Sequence, residues 1–111
     1  MREYDPKTFK GGWFMGDFEP TILKTPHFEV GVKTHKAGEY HEPHYHAIGT
    51  EYNYLISGTL VINDQTFVGP TIFVVEPGEA VYPHFETDCT LCIIKTPSLP
   101  GDKYLLETSR D

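Results

Sequence analysis

The sequence lacks any long hydrophobic run. Apolar residues make up 39% of its 111 positions but fall in short groups, whereas a membrane helix needs about 18 or more in succession. Residues 1–6 also lack the apolar stretch of a signal peptide. We therefore expect no membrane partner and a soluble, cytoplasmic protein whose length suits one domain with its own core.

Positive charge is scarce as well. Nine lysine and arginine residues oppose 16 aspartate and glutamate residues, which gives a formal net charge of −7. A nucleic-acid-binding protein needs a basic surface to neutralise phosphates, and the chain has neither a basic region nor a helix-turn-helix pattern. We therefore expect no nucleic-acid partner.

Only two cysteines are present, Cys89 and Cys92. They are three positions apart in a strand-like segment, so their side chains should leave on opposite faces and should not readily form a disulfide. We interpret them as small buried hydrophobic residues in a reducing compartment. The alternative is a zinc-binding or redox C-x-x-C pair, which would be more typical with a second pair in the chain.

No amphipathic helical repeat of useful length occurs. Short segments rich in β-branched residues follow one another at near-regular spacing, separated by glycine, proline and asparagine or aspartate. This pattern favours an antiparallel β-sandwich or barrel. The predicted strands cover residues 21–24, 28–34, 51–57, 59–62, 66–68, 71–75 and 90–95, with a hairpin turn at residues 63–65.

The stretch between Gly38 and Gly58 is dense in potential metal ligands. His44 and His46 are separated by one residue, so an extended strand points both to the same side. Glu51 follows a short loop and can return to that side from the next strand. Two imidazoles and a carboxylate suit Fe, Mn, Ni or Zn, with positions left open for water or substrate. A solvated polar face is the alternative, but imidazoles facing a barrel interior are costly without a metal or full hydrogen bonding.

The spacing of these residues resembles the first motif of the cupin superfamily, which reads glycine, five residues, His-x-His, four residues, glutamate, six residues, glycine. The resemblance implies an all-β fold of the cupin type, a double-stranded β-helix or jelly-roll barrel with antiparallel strands in two packed sheets. It also implies a divalent transition metal in the barrel. We expect a single cupin domain over residues 1–111, with the barrel at about 21–97, an N-terminal aromatic arm at 9–20 and a C-terminal tail at 98–111.

The second cupin motif usually supplies another histidine, in the arrangement Gly…Pro-x-Gly-x-x-His-x-x-x-Asn. The chain matches it loosely, with Gly69, Pro77, Gly78, His84 and Asp88 in the corresponding order. The first gap is long, glycine directly follows proline, and extra residues precede the histidine. On this resemblance we assign His84 as the fourth metal ligand, and its alternative role is that of a hydrogen-bonded loop histidine.

Three further residues are predicted to line the substrate pocket. Tyr40 shares its parity with the metal ligands, and Asn53 shares the strand face of Glu51 and suits a hydrogen bond to the ligand carboxylate or to substrate. Tyr82 can orient substrate or serve in acid–base chemistry, although a packed ring with a wet hydroxyl is the common alternative. The remaining histidines are predicted to be edge residues or outward-facing spectators, namely His27, His35 and His41.

Segments outside the barrel resemble a group of small single-domain cupins without assigned activity, some found among sugar-biosynthesis neighbours. The similarity lies in residues 12–20, 95–98 and 100–104. The aromatic residues of the arm are expected to pack against the outside of a sheet, with a dimer contact as the alternative. Single-domain cupins commonly dimerise through an edge strand, so we expect a homodimer.

These observations imply a small metal-binding cupin that acts on or binds a small molecule. As an enzyme it would be a metal-dependent dioxygenase, isomerase or lyase. As a binding module it would hold a small acid, sugar or nucleotide-sugar without turnover. The residues do not separate these functions, because one fold supports many chemistries.

Overall fold

A computed structural model describes residues 1–106, and antiparallel strands form most of them. The helical segments of this described part are too short and too polar to cross a membrane. A short 3-10 helix, Pro6–Thr8, precedes the strands β1 (Trp13–Met15), β2 (Glu29–His35), β3 (His44–Tyr45), β4 (Thr50–Ser57), β5 (Thr59–Ile62), β6 (Gln65–Val68), β7 (Thr71–Val75), β8 (Pro83–Phe85), β9 (Cys89–Thr96) and β10 (Tyr104–Leu105).

The strands form two main sheets and a short ribbon. The larger sheet has the order β1-β2-β9-β4-β7, the smaller has the order β6-β5-β8, and β10 pairs with β3. A single bridge between His44 and Val81 joins the ribbon to the chain that leads into β8. The prediction of an all-β fold with two packed antiparallel sheets is therefore confirmed, whereas the ladders between described residues do not close into a continuous barrel.

The hydrophobic core lies between the two sheets. Leu55 of β4 is fully buried, and it packs with Leu60 and Phe85 from the smaller sheet and with Leu91 from β9. Burial of one such leucine contributes roughly 1.5–3 kcal/mol. The strand face predicted for β4 is correct, because Asn53 and Leu55 point inward whereas Tyr52, Tyr54 and Ile56 remain exposed.

Strand β2 turns a polar face toward the interior. Val32 is 41% exposed on the outer side, whereas Glu29 is buried and Lys33 and His35 face a cavity between the sheets. The apolar residues Val30 and Val32 therefore share the outer face of this strand. A strand with polar residues inward fits a ligand cavity better than a purely hydrophobic core.

The N-terminal arm differs from its prediction. No strand forms at residues 21–24, and instead Trp13–Met15 adds an edge strand to β2, while Ile22 N–H donates to the carbonyl of Phe14 at 2.9 Å. Trp13 packs over Gly31, where an added Cβ would lie 2.8 Å from the indole ring. The tryptophan therefore lines the internal cavity rather than the outside of the sheet.

Two turns follow directly from local sequence. Asn63 and Asp64 both have positive φ, 52° and 66°, as a two-residue turn between β5 and β6 requires, so the predicted hairpin is confirmed. Gly58 joins β4 to β5 at φ 101°, and a Cβ there would lie 2.3 Å from the carbonyl oxygen of Asp88. Only glycine fits this position, which explains the last residue of the first motif.

The C-terminal tail was predicted to be an extended arm or a frayed helix. Tyr104 and Leu105 form β10 and pair with Tyr45 and His44, so the described part of the tail is extended. The rest of that prediction, at residues 107–111, lies outside the described residues.

Candidate functional site

A cavity of about 250 Å³ lies between the two sheets. Apolar side chains from both sheets form most of its walls, including Phe73, Leu91 and Ile93. Three sets of polar groups face it. The first is His44, His46, Glu51 and Asn53 from the first motif, the second is His35 and His41, which were predicted to lie elsewhere, and the third is Glu29, Lys33, Lys95 and Lys103.

The motif cluster consists of His44, His46 and Glu51, with Asn53 beside them. Glu51 Oε2 lies 3.9 Å from His46 Nδ1, and the two imidazole rings meet edge to face with centroids 5.5 Å apart. The side chain of His46 is 6% exposed and that of Glu51 is 17% exposed. The three ligands predicted from the first motif therefore all line the cavity, but their ligand atoms do not all lie within 4.8 Å of one another.

The polar atoms of the motif cluster suit a metal ion. Nδ1 of His46 is buried and has no hydrogen-bond partner among the described residues. Nδ1 of His44 donates to the carbonyl of Glu42 at 3.1 Å, which leaves Nε2 with its lone pair. Asn53 donates to Glu51 Oε1 at 3.1 Å, so Oε2 stays available. Metal sites typically combine such imidazole and carboxylate ligands with neighbouring groups that orient them by hydrogen bonds, as Glu42 does for His44 and Asn53 does for Glu51.

Both imidazoles of the motif cluster favour the neutral form. Burial lowers the pKa of His44, and burial together with the nearby Lys95 ammonium lowers the pKa of His46. A metal binds the neutral imidazole, so this shift keeps the histidines ready to coordinate at neutral pH.

Asp102 holds the loop between His46 and Glu51, a role that sequence reasoning missed. Its carboxylate is 3% exposed and accepts hydrogen bonds from the backbone N–H groups of Ala47, Ile48 and Gly49 at 2.8–3.1 Å. Burial opposes ionisation, but the three donors outweigh it and lower the pKa of Asp102. The only sequence signal is an aspartate after Pro100-Gly101, which is typical of an exposed turn.

The motif-independent cluster consists of His35, Glu39 and His41. Glu39 Oε2 accepts hydrogen bonds from His35 Nδ1 and His41 Nε2, each at 2.5 Å, and these bonds lower the pKa of Glu39 to about 2. His35 stacks on Phe85 with ring centroids 4.2 Å apart. The three ligand atoms lie within 4.8 Å of one another, and among residues 1–106 this is the group of three histidine and carboxylate side chains that is spaced closely enough to hold a metal ion. Each of its groups, however, already has a partner.

The positions of His35 and His41 correct the prediction that both are solvated or outward-facing. Residues 39–43 do not form a regular strand, because Gly38 turns the chain at φ 77° and β3 begins only at His44. Alternation of side chains therefore does not extend back to His41. The turn instead brings Glu39 between the two rings.

His84 does not join the motif cluster. Its side chain is 61% exposed and Nε2 lies 3.4 Å from Glu86 Oε1. The neighbouring Pro83 and Phe85 line the cavity, so the alternation of β8 turns His84 to the outside. Val81 lies opposite His44 instead, through backbone N–H···O bonds of 2.8 and 3.1 Å. Counted from Gly78, Val81 stands where the spacing of the second motif calls for histidine.

The two tyrosines predicted for the pocket also point away from it. Tyr40 is 77% exposed and Tyr82 is 53% exposed, and neither lines the cavity. Tyr40 lies between Glu39 and His41, which are hydrogen-bonded to each other, and Tyr82 follows the buried Val81. Of the three predicted pocket residues, only Asn53 faces the cavity.

Comparison with known proteins identifies the fold. No protein-family model matches the chain, and no curated protein matches it. Solved structures do match. An uncharacterised Klebsiella pneumoniae protein with a double-stranded β-helix domain is 20% identical with a TM-score of 0.68, over 78% of this chain and 76% of the other. A Streptomyces protein, PAC13, in a structure with uridine, is 12% identical with a TM-score of 0.68, over 96% and 92%.

A third match is a sugar phosphate isomerase of the cupin superfamily from Silicibacter pomeroyi. It is 17% identical with a TM-score of 0.58, over 74% of this chain and 58% of the other. At these identities the likeness concerns the fold alone. Together with the first motif, it confirms that the chain has the double-stranded β-helix fold of the cupin superfamily.

Proposed function

We propose that this protein of the cupin fold binds a divalent transition metal through His44, His46 and Glu51, and with it a small molecule in the cavity. The observation that carries the proposal is the buried, unpartnered Nδ1 of His46, 3.9 Å from Glu51 Oε2. An unpaired buried nitrogen is costly, and coordination would satisfy it. Fe, Mn, Ni and Zn all suit two imidazoles and a carboxylate.

The residues around the ligands have definite tasks in this proposal. A metal held there supplies Lewis acidity toward a chelating group of the bound molecule. The Glu42 carbonyl fixes the tautomer of His44, Asn53 orients Glu51, and Asp102 holds the loop that connects the two ligand segments. The apolar walls exclude water from the rest of the small molecule.

The nature of the neighbours supports a small polar ligand. One is named a sugar phosphate isomerase and another was solved with uridine. Dioxygenation, isomerisation and elimination are the reaction classes open to such a site. Binding without turnover is the alternative. A panel of small acids, sugars and nucleotide-sugars separates the two when each compound is assayed for binding, for oxygen uptake and, by NMR, for conversion to an isomer or an elimination product.

The metal proposal is tested by a matched pair of carboxylate variants. Glu51→Gln and Glu39→Gln each remove one carboxylate beside two imidazoles at the same cavity. Each variant is purified without added metal and then titrated with Zn, Mn, Ni or Fe(II), and its metal content is measured by elemental analysis. We expect Glu51→Gln to bind little metal and Glu39→Gln to bind as much as the unaltered protein. Full occupancy in both variants would sink the proposal, and the reverse pattern would move the metal to His35, Glu39 and His41.

We also propose that the protein is a homodimer, built through the outer face of the larger sheet. Tyr54 pairs with Ile72 and Tyr52 with Val74 across β4 and β7, and Ile94 of β9 lies beside Tyr52. The outward positions of strands β2, β9, β4 and β7 carry no charged residue. They are Val30, Val32 and Thr34 of β2, Thr90, Cys92, Ile94 and Thr96 of β9, Thr50, Tyr52, Tyr54 and Ile56 of β4, and Ile72 and Val74 of β7.

A second copy is the occupant that suits this face. Its large apolar side chains are 40–66% exposed and lie next to one another on neighbouring strands, and a contiguous exposed apolar patch of this kind is typical of a protein–protein interface. The chain as a whole is acidic, but two copies of this uncharged face meet without repulsion across it.

Light scattering at several concentrations tests the dimer. We expect Ile72→Lys to shift the mass toward one chain, since it places an ammonium in the apolar face. Val68→Lys is the control, because Val68 is 62% exposed but belongs to β6 of the other sheet. A monomeric mass for the unaltered protein, or equal behaviour of the two variants, would contradict this interface.

The state of the cysteines bears on localisation. Cys89 and Cys92 are both free thiols, and burial raises the pKa of Cys89. A buried protonated thiol is inert, and free thiols persist in reducing compartments. We therefore include the cytoplasm as the expected location in this proposal.

A further inference from the structure

We propose that the small molecule in this cavity carries an anionic oxygen group, a carboxylate or a phosphate, and that Lys33 and Lys103 bind it. The inference rests on the proposed small-molecule function and names the class of ligand. It starts from a set of residues that the metal site does not use.

Three ammonium groups converge on the cavity. Lys33 and Lys95 stand on the inward faces of β2 and β9, and Lys103 precedes β10 at the cavity wall. The Lys33 ammonium lies 5.0 Å from the centre of the Trp13 ring, and the Lys95 ammonium lies 5.8 Å from it. Two cations thus share one aromatic ring, which stabilises them only in part.

The carboxylates of the cavity are already occupied. Glu29 lies 3.8 Å from the Lys95 ammonium and accepts a hydrogen bond from Ser98 Oγ at 3.2 Å. Glu51 holds Asn53 and faces His46. Within residues 1–106, no carboxylate oxygen comes within 4 Å of the Lys33 or Lys103 ammonium. Two of the three ammonium groups therefore lack a counter-ion in the described structure.

The positive charge is unfavourable in the absence of an anion. Burial and the neighbouring Lys103 both lower the pKa of Lys33, so this ammonium is held at a cost. The chain as a whole carries a net charge of −7, so three lysines at this cavity oppose the overall sign of the charge. A divalent metal at the motif cluster would add to that charge. An anionic ligand group would offset it.

The shape of the cavity sets the rest of the ligand. A volume of about 250 Å³ holds a small molecule, and Phe73, Leu91 and Ile93 offer apolar contact to its neutral part. The anionic group would face the lysines and Trp13, while a second polar group reaches the metal. Lysine acts as a point charge without a fixed fork, so the contacts suit a carboxylate and a phosphate alike.

Trp13 gives a direct reading of this site, because it is the single tryptophan of the chain. Its fluorescence is followed as the full chain, first metal-free and then metal-loaded, is titrated with inorganic phosphate, with malonate and with neutral malonamide. We expect a saturable change with phosphate or malonate and none with malonamide. A response to phosphate alone identifies a phosphate ligand, and a response to malonate alone identifies a carboxylate ligand.

Variants assign the response to the lysines. Lys33→Gln and Lys103→Gln should each weaken anion binding about tenfold, as expected for loss of a charged contact, and Lys33→Arg should restore much of it. Lys36→Gln is the control, since that side chain is 86% exposed and lies outside the cavity. Equal binding by all variants, an equal response to malonamide, or no saturable response would overturn the inference. If the metal-free protein binds the anion through the lysines, the anion inference stands even where the metal proposal fails. If the protein binds metal but no anion, the anion inference fails and the metal proposal stands.

Discussion

Glu51 and Glu39 each lie beside two imidazoles at the same cavity, but their surroundings differ. Glu39 Oε2 accepts two hydrogen bonds of 2.5 Å, and its cluster closes the turn after β2 without any further partner. Glu51 Oε2 faces a buried nitrogen of His46 that no described residue satisfies. The same residue types therefore build a cluster whose groups are paired with one another in one place, and in the other a cluster with an unpaired nitrogen that the proposed metal would satisfy.

Metal-linked stability gives the largest expected contrast between the clusters. At a metal concentration of about 1,000 Kd, binding to the native state adds about 4 kcal/mol to the free energy of unfolding. His46→Ala should abolish this gain, whereas His41→Ala should keep it although the protein without metal becomes less stable. Urea unfolding with Zn or Ni and with a chelator measures both. An equal gain in the two variants would show that the metal does not depend on His46 more than on His41.

Strong acid should remove the stabilisation that the Glu39 cluster provides. The folded pKa of Glu39 is about 2, below its ordinary value of 4.5, so its bonds to His35 and His41 stabilise the fold above pH 4.5, and this contribution is lost as the pH falls toward 2. The side chain is 36% exposed, and solvent screening reduces the effect to about 1 kcal/mol. Glu39→Gln should therefore lower stability at pH 7 and flatten its decline between pH 4.5 and 2. Parallel urea-unfolding curves across that range would contradict the assignment.

Val81→His tests the motif cluster by adding a possible metal ligand to it. Val81 is 8% exposed and lies across from His44, where the second cupin motif calls for a histidine. A ligand added there should tighten metal binding about tenfold, while the larger ring costs about 1–3 kcal/mol of stability in the metal-free protein. Calorimetric titration with Ni or Zn measures the change. Unchanged affinity in a folded variant would show that the metal lies elsewhere.

Local patterns explain which parts of the fold could be predicted. Period-two alternation and turn chemistry correctly assigned the inward face of β4 and the hairpin at Asn63, because both depend on neighbouring residues. His41 was misjudged because the irregular chain after Gly38 breaks that alternation. Asp102 was missed because its partners lie more than 50 residues away in sequence, at the loop of Gly49. Such long-range satisfaction of backbone donors leaves no periodic signal.

His84→Ala should have the smallest effect of all. An exposed imidazole 3.4 Å from Glu86 is a surface pair, which contributes about 0–1 kcal/mol, and the alternation of β8 keeps it off the cavity. We therefore expect metal affinity to stay unchanged and stability to move by no more than about 0.5 kcal/mol. A clear loss of metal in His84→Ala, with the variant folded, would mean that β8 turns over when the metal binds. The motif cluster would then have four ligands, and the difference between it and the Glu39 cluster would arise when the metal binds rather than being present in the metal-free fold.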